Sequence, residues 1–254
     1  HMRFQNRTIL VTGGTSGIGF AAARAFLAEG ANVVMAASGR IRGERAESLL
    51  REEYGERVRF FPCDVRKEEE ICKLMEFVEV TFGGLDTLCN NAGVSIRGRA
   101  EEMCVADWDT VLEVNLRGAF LCAKYALPLL RKSRGTIVNT ISELGFVATK
   151  GCIAYLCSKG GLLQLTRGLA LEFAEYGVRV NAVCPAGTDT PMFRADMGSG
   201  EAYEKNVAAL AASYPLGRIA VPEDIAPTVL FLAGEDSAFM TGQYILLDGG
   251  FTLQ

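Results

Sequence analysis

The sequence predicts a single α/β domain: a doubly wound, mostly parallel sheet of about seven strands with helices on both faces. Three features predict it. Segments of strand character alternate with helical segments from end to end. The strands are continuous apolar runs, which means that both faces of the sheet are covered. The first strand also runs straight into a glycine-rich turn that opens a helix, the local order of a βαβ unit.

In chain order, Arg7–Thr12 is a short apolar strand, and the Ala-rich segment Phe20–Glu29 is helical, closed by Gly30. Asn32–Ala37 is a second buried strand and Glu44–Tyr54 a charged helix. Val58–Cys63 is the third strand, followed by a helix over Lys67–Phe82 that stops at Gly83-Gly84. Leu85–Asn90 is the fourth strand, and 108–132 contains a long helix. Thr136–Ile141 and Val178–Val183 are strands on either side of a helix over Cys152–Tyr176. Pro222–Ala233 is helical, and Tyr244–Leu247 is the last strand. No linker, repeat or low-complexity tract interrupts the series, so residues 1–254 read as one domain. Residues 189–215 break the rhythm with a helical, Ala-rich patch between long connections. An excursion of that length in a compact domain is usually a lid or binding element.

A chain of 254 residues can bury a substantial core. The net charge of −4 is spread along it, which argues against a nucleic-acid partner. Eight cysteines are scattered without paired short spacings, mostly in apolar runs, and read as buried small hydrophobes in a reducing compartment. No uncharged apolar stretch is long enough to span a membrane. The expectation is a soluble cytoplasmic protein. The single histidine is His1, which with Met2 reads as a cloning scar. Ser-His-Asp, Cys-His and His-ligated metal chemistries then have no histidine to use, and no metal site is expected.

Tyr155 and Lys159 stand four residues apart on a helical segment, so both fall on one helix face. A phenol titrates near 10, too high to exchange protons easily at neutrality. An ammonium about 4 Å away would favour the phenolate by about 4 kcal/mol at an effective dielectric near 20. Such a pair, with Ser142 upstream, suits proton exchange with an alcohol or carbonyl. A second motif, Thr12-Gly13-Gly14-Thr15-Ser16-Gly17-Ile18-Gly19, lies between strand and helix, where glycines admit the backbone to a pyrophosphate and the helix N-terminus faces its charge.

These motifs occur in order with Asn90-Asn91-Ala92-Gly93, Asn115, the segment Pro185–Met192 and a terminal Leu247-Asp248-Gly249-Gly250. In that order the chain resembles the short-chain dehydrogenase/reductase family in its roughly 250-residue form, over essentially its whole length. The resemblance implies a Rossmann-like fold and an NAD(P)-dependent oxidoreductase that interconverts a secondary alcohol and a ketone by hydride transfer. It implies Tyr155 as general acid/base, Lys159 lowering its pKa and holding the nicotinamide ribose, Ser142 bonding the reacting oxygen, and Asn115 anchoring a proton-relaying water. Gly13, Thr15, Ser16, Gly17, Ile18 and Gly19 would cradle the pyrophosphate. Asp64 and Val65 would meet the adenine, with an N-cap for the next helix as the other reading of Asp64. Asn91, Ala92 and Gly93 would line the cofactor. Pro185, Gly187, Thr188 and Thr190 would hold the carboxamide, in a segment where Ala186 replaces the family's usual glycine.

Coenzyme choice turns on the end of the second strand. No acid stands near Ala37 to hold a ribose 2′-hydroxyl, and Ser38 and Arg40, with Arg42 nearby, are placed for a 2′-phosphate. Thr15 stands where many NADP-preferring relatives carry Arg or Lys. NADP(H) is favoured over NAD(H). Glu143, Thr149, Cys152, Ala186, Met192 and Phe193, with Leu144, Ala148 and Thr188, are the candidate substrate wall. A small alcohol or ketone ranks above an acyl-carrier-protein substrate, because Glu175 brings acidity where carrier-protein reductases place a base, although Arg131, Lys132 and Arg134 form a basic cluster. A 3-oxoacyl-acyl-carrier-protein reductase-like enzyme, a non-redox dehydratase or epimerase, and a non-catalytic nucleotide-binding protein are the alternatives. Apolar residues on more than one face of the long helices (Phe120, Leu121, Leu163, Leu165, Leu169) predict a homo-oligomer, and the family resemblance implies a tetramer.

Overall fold

The computed structural model describes residues 2–254, so the predicted scar lies partly outside the described residues. One seven-stranded sheet runs in the order β3-β2-β1-β4-β5-β6-β7. Its strands are β1 (Thr8–Thr12), β2 (Asn32–Ala37), β3 (Val58–Pro62), β4 (Thr87–Asn90), β5 (Thr136–Thr140), β6 (Arg179–Pro185) and β7 (Tyr244–Leu247). Every neighbouring pair is parallel, which sharpens the expectation of a mostly parallel sheet. The strand order reverses between β1 and β4, and that switch point opens a crevice at the carboxyl ends of the strands.

The two faces of the sheet carry separate cores because strand side chains alternate. Leu10, Val34, Leu88, Ile137 and Val180 face α3 (Glu68–Phe82), α5 (Gly118–Ser133) and α6 (Ile153–Phe173). Ile9, Val11, Val33, Met35, Cys89, Val138 and Val183 face α1 (Gly17–Ala28), α2 (Arg40–Tyr54) and α9 (Pro222–Ala233). Leu88 and Met35 are wholly buried, and removing a core side chain of that size costs about 2–5 kcal/mol.

Several boundaries move for local reasons. The helix expected from Glu44 begins at Arg40, with Gly39 as its N-cap. Gly43 sits inside its first turn because the Phe60 ring occupies the space a Cβ would need. The first helix begins at Gly17, so the end of the glycine motif is its first turn. β1 starts one residue late and β4 two, and at this edge the Asp86 carboxylate accepts from the Thr8 amide and from Arg7, both at 2.8 Å. The long helix expected over 108–132 runs from α4 (Val105–Leu112) through a π turn (Glu113–Arg117) into α5. Residues 189–215 are more helical than the Ala-rich patch implied, forming α7 (Pro191–Met197) and α8 (Gly200–Ser213). Cys63, Cys89, Cys122, Cys152 and Cys184 are buried as expected, whereas Cys72, Cys104 and Cys157 are exposed.

Candidate active site

A cavity of about 1080 Å³ lies over the carboxyl ends of the strands, lined from the segments that follow β1 through β6. Its floor at the switch point is the glycine turn. Gly13 has φ +66°, and a Cβ there would meet the Ala92 Cα at 2.9 Å. A side chain at Gly19 would collide with the Gly13 carbonyl and the Asn91 amide, so α1 packs tightly beneath the turn. Thr12, which is buried, accepts from the backbone amides of Asn91 and Ala92, both at 3.1 Å, and Asn91 Nδ2 donates to the Gly13 carbonyl at 3.2 Å. These bonds tie the two βα turns into one rigid rim. Backbone amides at the start of α1 then face the cavity with no acid in the first turn, which suits a diphosphate.

Of the residues expected to hold a dinucleotide, only Gly19 lies off the wall: Gly13, Thr15, Ser16, Gly17, Ile18, Ser38, Arg40, Asp64, Val65, Asn91, Ala92, Gly93, Tyr155, Lys159, Pro185, Gly187, Thr188 and Thr190 all line it. Gly19 supports the turn from behind. Asp64 is not an N-cap, since the next helix starts at Glu68 with Lys67 before it. Its carboxylate instead accepts from the Arg66 amide and guanidinium at 2.7–3.1 Å, and Arg66 holds it below the usual carboxylate range. Arg66 itself lines the cavity and was not foreseen. At the other corner Arg40 is exposed and leans 3.7 Å from Glu44.

Ser142, Tyr155 and Lys159 meet on the opposite wall. Ser142 ends the strand side, while Tyr155 and Lys159 project from α6. The direct pairing expected of the tyrosine and lysine takes another form. Lys159 Nζ stands 5.4 Å from the centre of the Tyr155 ring and donates to the Thr140 carbonyl at 2.8 Å. Burial pushes Lys159 down to about 8, and burial with the Glu143 charge pushes the Tyr155 phenol up from 10. Burial and the Glu143 charge oppose ionisation of Tyr155 and outweigh the opposing hydrogen bond from Ser142. The ammonium is drawn to a carbonyl, and its field does not overcome desolvation.

Asn115 lies behind this wall rather than on it. It is buried in the π turn, where Oδ1 accepts from the Val94 amide at 2.8 Å and Nδ2 donates to the Val94 carbonyl at 2.9 Å and to Ser158 Oγ at 3.1 Å. Widening the helix by one residue turns this side chain inward, a common use of a π turn. The result clasps the Gly93–Val94 segment that follows β4 to α6.

Glu143, Leu144, Ala148, Thr149, Cys152, Ala186, Met192 and Phe193 all line the remaining part of the cavity. Sequence reasoning missed Arg97, Asp196, Tyr214 and Phe251, which also line it. Arg97 and Asp196 approach to 3.9 Å across the mouth, between the loop after β4 and α7. Tyr214 accepts from the Gly187 amide at 2.9 Å, and Phe251 packs edge-on against its ring at 5.6 Å. This contact explains the displaced glycine: a Cβ at Gly187 would lie 2.8 Å from the Tyr214 hydroxyl, so small size is needed here and Ala186 is accommodated. No feature of the local sequence signals that a residue near the C-terminus closes the pocket. Thr190 caps α7 by accepting from the Phe193 amide at 3.1 Å.

A family model described as Enoyl-(Acyl carrier protein) reductase matches residues 13–252. The chain is 40% identical to 2-(S)-hydroxypropyl-CoM dehydrogenase 3 of Xanthobacter autotrophicus over 252 residues, 98% of either protein. It is 37% identical to meso-2,3-butanediol dehydrogenase of Serratia marcescens over 252 residues, 99% of this chain and 96% of that one. The solved structure of the aldohexose dehydrogenase of Thermoplasma acidophilum in ligand-free form superposes with a TM-score of 0.88 at 31% identity, covering 98% of this chain and 95% of that one. The chain belongs to the short-chain dehydrogenase/reductase family. As a short-chain dehydrogenase/reductase it has the Rossmann-like fold. It is an NAD(P)-dependent oxidoreductase acting on CH–OH groups, interconverting a secondary alcohol and a ketone.

Less apolar surface is left over on the long helices than the sequence implied. Leu121, Leu163 and Leu169 are buried against the sheet and are not surplus surface. Phe120, 44% exposed, and Leu165 remain, lining a shallow groove with Leu112 and Leu116. No helix among the described residues is long and apolar enough to cross a membrane.

Proposed function

We propose that Tyr155 is the general acid/base of this oxidoreductase, that Ser142 donates a hydrogen bond to the reacting oxygen, and that Lys159 holds the nicotinamide ribose. The observation that carries this reading is the convergence of Ser142, Tyr155 and Lys159 on one wall of the cavity whose other wall is the glycine turn. The residues present fit a dinucleotide: the Gly13 turn leaves room only for backbone against Ala92, and α1 offers free amides. A bound nicotinamide would supply the hydride donor or acceptor. The Tyr155 phenol, kept neutral by burial, is set to give its proton to a carbonyl oxygen, and the phenolate that this leaves is the base that takes a proton from an alcohol in the reverse direction. Lys159 stands close to neutrality in its buried site, so ribose hydroxyls would meet a group able to carry charge and proton. Asn115 clasps Val94 and Ser158 so that the backbone beside Lys159 keeps its place, and a relaying water would lie between them.

The coenzyme is NADP(H) in this reading. The start of α2 and the exposed Arg40 face the adenosine end of the cavity, and no acid lies on that wall after β2. The whole chain acts as one dinucleotide-binding domain, with 189–215 as a substrate lid held near the mouth by Arg97 and Asp196. A homotetramer in the cytoplasm, with Phe120 in a subunit contact, completes the reading. A small alcohol or ketone suits the site better than a carrier-protein substrate: Lys132 is bound to Glu79 at 2.8 Å and Arg131 lies over the Tyr176 ring, which leaves little of the basic cluster free. A panel of ketones and secondary alcohols with both coenzymes, followed at the nicotinamide absorbance, tests this. Dinucleotide binding without turnover of any member would overturn it.

A further inference from the structure

Glu143 follows Ser142 directly and opens a short 3-10 turn, Glu143–Gly145. It is a buried acid, 8% exposed, on the wall of the reaction cavity. Its Oε2 lies 2.8 Å from Ser142 Oγ, and the Leu144 amide donates to the same Oγ at 3.2 Å. A serine hydroxyl has one hydrogen to give and two lone pairs to accept with. An ionised carboxylate only accepts, so with Glu143 charged the Ser142 hydrogen is taken by Glu143 and a lone pair faces the cavity. With Glu143 protonated, its O–H donates to Ser142 Oγ and Leu144 fills the second lone pair. The serine hydrogen is then left to point into the cavity.

We propose that Glu143 is a positioning residue for Ser142: protonated, it turns the serine hydrogen onto the reacting oxygen, and ionised, it withdraws it. This rests on the role given to Ser142 above. The proton on Glu143 is not consumed. It exchanges with solvent, reverses one hydrogen bond and breaks no other bond, so the alcohol–ketone reaction keeps its own balance of hydride and proton. The device matters in both directions, because negative charge grows on the substrate oxygen and needs donors around it.

The surroundings make both forms accessible. Burial is the main influence and raises Glu143 from 4.5 to about 7, against the opposing pull of Ser142 and of the backbone amides at 143 and 144. Asp248, after β7, raises it further. Tyr155 on α6, Cys184 on β6 and Tyr214 after α8 each feel its charge in turn. No lysine or arginine forms an ion pair with it among the described residues. Burial lowers Lys159 to about 8, with the Cys184 charge opposing it.

The test compares wild type with Glu143→Gln, whose amide N–H replaces the acid proton and does not ionise. The pH profile of kcat/KM reports groups of the free enzyme. For a group titrating near 7 the protonated fraction falls about tenfold between about pH 6 and about pH 8. The ratio of kcat/KM between these two pH values should therefore be about tenfold larger in wild type than in E143Q, with any decline due to Lys159 common to both. Equal ratios overturn the proposal. A readout that needs no turnover is the infrared band of the protonated carboxyl. It should be present below neutrality in wild type, absent in E143Q and shifted by Ser142→Ala. A band that S142A leaves in place overturns the proposal even where ketone turnover is normal. A band that shifts, in a protein that turns over no ketone, overturns the reaction reading instead and leaves the Glu143–Ser142 pairing standing.

Discussion

Glu143→Gln should also change how stability depends on pH. The wild-type carboxyl is buried, and its value of about 7 in the folded protein lies well above the ordinary 4.5. Between those two values the folded protein keeps a proton that the unfolded chain has released. The unfolding free energy therefore falls as pH rises through that window. At ~1.36 kcal/mol for each pH unit between the two values, the loss reaches about 3 kcal/mol once the pH exceeds the folded value. Glutamine has nearly the same shape, keeps a donor for Ser142 and does not titrate, so E143Q lacks the loss. Urea unfolding of both proteins at several pH values, at one protomer concentration, measures the difference. The two stabilities should diverge by about 2.5 kcal/mol between about pH 5 and about pH 8, with E143Q the more stable at the upper end. Parallel curves would refute the argument, because they would mean that Glu143 bears no burial cost for its charge.

Tyr155→Phe removes only the phenol hydroxyl and should lower kcat by about 10²- to 10⁴-fold while dinucleotide affinity, read by fluorescence titration, stays near wild type; a variant retaining a tenth or more of kcat would show that another group carries the proton. Wild type should prefer NADP(H) by about 10- to 150-fold in kcat/KM, the worth of a charge-assisted hydrogen bond. Ala37→Asp should reverse that preference and Arg40→Ala should weaken NADP(H) alone, so equal losses with both coenzymes would place the phosphate elsewhere. Light scattering should give a tetrameric mass for wild type and a smaller one for Phe120→Glu; a monomeric wild type would remove Phe120 from any subunit contact.

Sheet, layer order and the residues that meet in the cavity were legible in the sequence because each is written in local pattern. Continuous apolar strands require covering on both faces, and glycines at 13, 17 and 19 mark the turn beneath the cavity. Tyr155 and Lys159 share a face through helix periodicity alone. What local pattern does not carry is where a long side chain goes once its neighbours are in place. Arg66 closing on Asp64, the Asn115 clasp on Val94, and Tyr214 with Phe251 against Gly187 join segments that are either mobile-ended side chains or far apart in the chain. The same holds for charge. Spacing put a lysine beside a tyrosine and suggested a lowered phenol, but the assembled site desolvates both and turns Lys159 to the Thr140 carbonyl. Glu143 is an unremarkable acid in the sequence. Only burial, which depends on everything packed around it, brings its titration near neutrality and puts its carboxyl against Ser142. Periodicity and turn chemistry are properties of a segment and survive in the linear text, whereas desolvation and hydrogen-bond competition are properties of the packed site and exist only after folding.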